Sequence, residues 1–81
     1  MFKDDLTRVR HMLDSANEAL SFINNKTRKD LDNDRMLVLS LIKCIEIIGE
    51  AANSVTGDLK SKHISIPWQD IIKMRHRLIH T

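Results

Sequence analysis

Met36-Leu37-Val38-Leu39-Ser40-Leu41-Ile42-Lys43-Cys44-Ile45-Glu46-Ile47-Ile48-Gly49-Glu50-Ala51-Ala52 is the stretch on which the fold turns. It is apolar apart from a few positions, and Ser40, Lys43, Glu46, Glu50 and, just beyond, Asn53 are spaced three, three, four and three. That spacing draws one narrow polar stripe along an α-helix. A helix apolar everywhere else has to be covered on several sides, so it is expected at the centre of a bundle and at a subunit interface as well. Its length invites a membrane reading. Lys43, Glu46 and Glu50 inside the run argue against that, because each charge is costly at mid-bilayer. Gly49, Ala51 and Ala52 present little side chain, so another helix can approach closely there.

Working outward, Asn33 or Asp34 is placed to cap this helix, which runs toward Val55 with Gly57 expected as its left-handed stop. Before it, Phe2, Leu6, Val9, Leu13, Ala16, Leu20 and Ile23 alternate steps of four and three, the mark of one amphipathic helix. The seam is too short to require a coiled coil, and a bundle helix is the simpler reading. Between the two, Thr27 with Asp30 three residues on is placed to cap a single helical turn. The polar run from Thr56 to Ser65 reads as a loop. Pro67 is expected at the first position of a third helix, with Trp68 as its first large anchor. That helix reaches Thr81 with no stop signal, so either the natural protein runs on or the end frays.

Eighty-one residues make one domain, 1–81, which buries only roughly two-thirds of the surface its unfolded chain exposes. Two glycines, one proline, 42% hydrophobic and 30% charged residues describe a helix-rich globular chain. A net charge of +2 and only Phe2, Phe22 and Trp68 as aromatics do not provide a broad phosphate-binding surface or a stacking platform for single strands. Cys44 is the only cysteine, so no internal disulfide can form. A reducing cytoplasm is the natural setting, and the acidic, polar N-terminus does not resemble a signal peptide.

The chemistry collects at Arg75-His76-Arg77-Leu78-Ile79-His80-Thr81. On the third helix Trp68, Ile71, Ile72, Leu78 and Ile79 fall within one arc, and Arg75 stands at its centre. A cation pointing toward the buried side needs an anion, either a neighbouring carboxylate or a bound phosphate. Arginine's planar fork of donors suits both. Glu46 and Glu50, one turn apart, read as an ion-pair counter-charge that orients this guanidinium rather than as catalytic bases. His76 and His80 have the i, i+4 spacing of two metal ligands, but no third ligand is spaced to complete a site, so no metal or other cofactor is expected. Arg75 and His80 lie about 140° apart on an ideal helix, so joint action needs a loosened helix end or a second subunit. Should they converge, an arginine holding a phosphate and a histidine moving a proton divide the work that RNA cleavage requires. Spacing alone leaves open a structural arginine beside a surface histidine. Cys44, among Ile42, Ile45 and Ile47, reads as an inert packed thiol.

Taken together, Glu46-Ile47-Ile48-Gly49-Glu50-Ala51-Ala52, Ile66-Pro67-Trp68 and Met74-Arg75 followed by Arg77-Leu78-Ile79-His80 resemble the HEPN superfamily, specifically its HepT-like toxin branch. The likeness covers nearly the whole chain. It implies an all-α antiparallel helical bundle that forms a homodimer, with three of the family's helices present and the fourth missing. It further implies a toxin of a toxin-antitoxin system, a metal-independent endoribonuclease paired with a nucleotidyltransferase antitoxin of the MNT type. By the same resemblance, Arg75 binds and polarises the phosphate and His80 is general acid or base. The ribose 2′-hydroxyl attacks, leaving a cyclic phosphate and a 5′-hydroxyl. His76 stands where the family usually has asparagine, which makes it a candidate polar group of the site. The family's tyrosine two residues after the histidine has no counterpart, since this chain ends at Thr81 and contains no tyrosine. The chain thus resembles a truncated member, and the alternative it suggests is a non-catalytic HEPN module that binds a nucleotidyltransferase or a nucleotide.

Overall fold

The computed structural model describes residues 3–80, the side chains of Lys3, Ile79 and His80 lying outside the described set. Five helices follow one another: α1 (Lys3–Ile23), α2 (Arg28–Asn33), α3 (Arg35–Ser54), α4 (Gly57–Lys62) and α5 (Trp68–His80). The described residues contain no strand, so the architecture is all-α.

The long apolar helix is indeed central: α3 packs against α1 on one side and α5 on the other, with α2 touching it near its start. Contacts run in opposite order along each pair, which makes the packing antiparallel. Asp5 meets Thr56 and Glu18 meets Cys44 between α1 and α3. Gly49 of α3 meets Arg75 of α5, while Ala52, later in α3, joins Val55, Leu59 and Trp68 at the start of α5 in one cluster. That cluster is the core, and Val9, Met12, Ile71 and Ile72 pack against it.

Capping chemistry sets the breaks between helices. Thr27 Oγ1 accepts from Asp30 N–H at 3.2 Å and the Asp30 carboxylate accepts from Thr27 N–H at 2.8 Å, a complete capping box on α2. Asp34 ends α2 and caps α3, its carboxylate accepting from Leu37 N–H at 3.1 Å. Asn25, at φ 61°, supplies the left-handed residue of the turn after α1.

Four expectations are corrected. Thr56 to Ser65 is not all loop: Thr56 Oγ1 accepts from Leu59 N–H at 3.3 Å and starts the short helix α4, with Asp58 in its first turn. Gly57 accordingly has no positive φ and opens α4, while α3 ends at Ser54 with Val55 in extended geometry behind it. Pro67 stands one residue ahead of α5, its carbonyl taking the Ile71 N–H at 3.1 Å.

The fourth correction concerns α1, which is rotated from its apolar seam. Leu6, Leu13 and Leu20 are 45%, 59% and 62% exposed, whereas Asp5 and Ser15 are buried. The reason lies in what the neighbours offer. Asp5 turns inward to accept two hydrogen bonds from the start of α4, from Thr56 N–H at 3.0 Å and Thr56 Oγ1 at 2.6 Å. Hydrogen bonds to an ionised carboxylate are stronger than those between neutral groups, and the pair holds the N-terminal end of α1 in this orientation. An open apolar cleft of about 470 Å³ results, walled by Val9, Met12, Ile48, Leu59, Trp68 and Ile71 among others.

Candidate active site

Helix α5 is positioned by Trp68, which is buried and donates its indole N–H to the His63 carbonyl at 3.0 Å. This bond locks the turn after α4 to the start of α5. Ile71 and Ile72 continue the packed face, and Arg75 follows them on the same arc.

Arg75 passes directly over Gly49. A Cβ built on Gly49 would overlap the Cβ of Arg75 and stand 3.0 Å from its Cδ and 3.1 Å from its Cγ. The absence of a side chain at residue 49 is therefore what lets α5 lie this close to α3. The aliphatic stem is pressed against the helix, so Arg75 Nε is buried, and it has no hydrogen-bond partner among the described residues. A buried guanidinium N–H without an acceptor is a costly arrangement, and functional sites are where such costs are found.

The two carboxylates stand elsewhere on α3. Glu46 pairs with Lys43 at 3.9 Å, a weak i, i+3 contact at the surface. Glu50, one turn further along the same stripe, lines a cleft with Arg8 and His11 of α1. Among the described residues no ion pair joins either carboxylate to Arg75. His76 is exposed on the next position of α5, and Lys73 and Arg77 are exposed on its outer side. His80 is the last residue of the helix, and its side chain is outside the described residues.

Cys44 is 1% exposed with Sγ 3.8 Å from Glu18 Oε1. Burial first, and the Glu18 charge second, push its thiol above the ordinary value, the opposite of what a nucleophile needs. Sequence reading had no signal for Asp5, whose partner lies 51 residues away. The cleft of Arg8, His11, Glu50 and Ser54 also escaped it, since α1 was expected to turn its leucines inward. No group of three His, Cys, Asp or Glu among the described residues is close enough to hold a metal ion, and no described helix is long and apolar enough to cross a membrane.

An all-α bundle with an arginine seated on a glycine of its central helix, ahead of a helix-ending histidine, fits the family comparison. The model of the ribonuclease HepT-like family matches residues 12–81, and the chain belongs to that family. It is similar to a Methanocaldococcus jannaschii protein provisionally named as the RNase MJ1380, with 32% identity over 69 residues, 85% of this chain and 63% of the relative. It is similar as well to the probable ribonuclease HepT of Thermococcus cleftensis, 36% identical over 72 residues, 84% of this chain and 66% of that protein. A third relative, provisionally named as the RNase TTE0752 of Caldanaerobacter subterraneus subsp. tengcongensis, is 29% identical over 72 residues, 89% of this chain and 64% of the relative. The matches thus take up somewhat less than two thirds of these relatives' length. No solved structure matches the chain.

Proposed function

We propose that the protein is the toxin of a toxin-antitoxin pair, a metal-independent endoribonuclease that uses Arg75 and His80. The observation that carries this reading is the buried Arg75 Nε with no acceptor among the described residues. An anion is what that group lacks, and a phosphate of RNA is the anion that the family's ribonuclease description supplies.

In the proposed reaction Arg75 holds a non-bridging oxygen of the scissile phosphate and offsets the charge that builds there. The neighbouring 2′-hydroxyl attacks phosphorus as His80 takes or gives the proton, the P–O5′ bond breaks, and a cyclic phosphate and a 5′-hydroxyl form. Two copies meeting along α3 and α5 bring two such motifs together, and His76 is the added polar group beside each. Glu46 and Glu50 act at longer range, holding a negative potential that keeps the guanidinium at its seat. A small nucleotidyltransferase of the MNT type is the antitoxin partner, in the cytoplasm.

The test is cleavage of single-stranded RNA by the purified chain in the presence of a chelator. Cleavage that disappears in Arg75→Ala and in His80→Ala supports the proposal. Cutting by either variant at the wild-type rate defeats it.

A further inference from the structure

Around α3 from the Arg75 seat lies a second, polar cleft of about 330 Å³, lined by Arg8 and His11 of α1 and by Ile47, Glu50, Ala51 and Ser54 of α3. We propose that this cleft binds one ribonucleotide unit of an RNA strand, with its phosphate on Arg8 and His11 and its ribose hydroxyls on Glu50. The inference rests on RNA being the substrate, and it adds a subsite away from the scissile phosphate.

Three observations carry it. Arg8 is half-buried in the wall, yet no ion pair or hydrogen bond engages it among the described residues. Its nearest obvious duty would be to offset Asp5, but Thr56 already donates twice to that carboxylate, and Arg8 is only the last of the influences on it. Second, Glu50 lines the same cleft without forming an ion pair to Arg8. A guanidinium and a carboxylate that face one space without closing on each other leave room for a ligand with an acceptor at one end and donors at the other. A phosphate joined to a ribose is that ligand: the phosphate takes the forked donors of Arg8 and a proton of His11, and the hydroxyls donate to Glu50. Third, the floor is apolar, Ile47 and Ala51, which suits the sugar's carbon face, and the volume lies at the small end of the range of roughly 300–1,000 Å³ typical of ligand pockets. Ser54 at the rim already donates its hydroxyl to the Glu50 carbonyl at 3.1 Å, so it is fixed as an acceptor.

The position fits a strand that continues from the Arg75 seat. Gly49, beneath Arg75, and Glu50, in the cleft, are successive residues about 100° apart around α3. The two sites are thus separated by about the width of one helix, ~10 Å, which a short run of nucleotides spans.

The experiment titrates the intact chain with AMP, 2′-deoxy-AMP, adenosine and inorganic phosphate, following the His11 imidazole resonances by NMR. The proposal expects AMP to bind and shift His11, adenosine not to bind, and deoxy-AMP to bind more weakly. Arg8→Ala should weaken AMP about tenfold with the unfolding midpoint unchanged. Glu50→Gln should remove the preference for AMP over deoxy-AMP. A single-stranded RNA added to the cleavage-defective Arg75→Ala variant should displace AMP. Unaltered His11 resonances, equal binding of AMP by wild type and Arg8→Ala, or AMP that RNA cannot displace would each overturn the strand subsite. Loss of RNA cleavage with AMP binding intact would count against the ribonuclease reading instead, so the two failures are distinguishable.

Discussion

Gly49 and Arg75 are fitted to each other: the arginine's stem occupies the space that any side chain at residue 49 would need. Because the overlap includes the Arg75 Cβ, which moves only with the backbone of α5, no rotamer change relieves it. Gly49→Ala must therefore push α5 away from α3. Alanine gains up to about 1 kcal/mol of helix propensity over glycine, but overpacking a close helix contact costs about 1–3 kcal/mol. The overlap wins. The expected result is a lower midpoint of thermal unfolding and weakened RNA cleavage, and a more stable, fully active Gly49→Ala protein would show that the helices are not held this close.

Asp5 and Thr56 join the N-terminal helix to the start of α4, and their bond makes stability depend on acid. The Thr56 hydroxyl first, and its backbone N–H second, hold the Asp5 carboxyl below its ordinary value of 3.8. The ionised form therefore contributes its stability in full above that ordinary value, and the contribution is lost as pH falls through the lowered value of the folded protein. Asp5→Asn should unfold at a lower temperature than wild type at neutral pH, with the gap closing as pH falls below 3.8 and through the lowered value of the folded protein. Calorimetry across that range checks it, and a gap independent of pH would mean that Asp5 acts through shape and not charge. Thr56→Ala removes the hydroxyl bond to Asp5 and the α4 cap together while leaving the backbone N–H bond in place, and the cap alone is worth about 0.5–2 kcal/mol.

The Cys44 thiol should be silent in the folded protein. It is buried against Glu18, and both burial and that charge disfavour the thiolate. Alkylation at pH 8 should proceed only as fast as the bundle opens, and it should speed up sharply in denaturant. Prompt labelling of native protein would place the sulfur at the surface.

How far these features could be read in advance depended on whether their causes were local. The polar stripe on α3, the capping box at Thr27 and Asp30 and the closeness permitted by Gly49 all follow from residues a few positions apart, and all are present. Thr56 was a local signal too, a threonine placed to cap Leu59 N–H three residues on, but Gly57 between them is equally compatible with a turn. The rotation of α1 was not legible, because it is decided by a carboxylate meeting Thr56 across the bundle. For the same reason the Arg8 and Glu50 cleft could not be foreseen: with Leu6, Leu13 and Leu20 turned inward, Arg8 would have pointed to solvent. At Arg75 the arc of large apolar residues gave the inward direction correctly. It could not give the distance to Glu46, which pairs with Lys43 instead.

Arg75 itself should be a place where stability and function oppose each other. Its Nε is buried without an acceptor among the described residues, so the group forfeits hydration and gains no bond from them in return. Arg75→Met keeps an unbranched stem that fits over Gly49 and removes the unsatisfied N–H. Losing that penalty should stabilise the fold by about 1 kcal/mol, which for a domain of this size raises the unfolding midpoint by roughly 4–8 °C. Cleavage should meanwhile fall by a factor of about 10²–10³, the usual effect of deleting one donor to a developing oxyanion. Arg75→Lys separates charge from geometry, because it keeps the cation but has no forked donors and no Nε at the buried position. It should be nearly as stable as the methionine variant and recover only a small part of the activity. A methionine variant less stable than wild type would mean that the guanidinium is already satisfied without substrate, and the phosphate would no longer be needed to explain why an arginine is seated there.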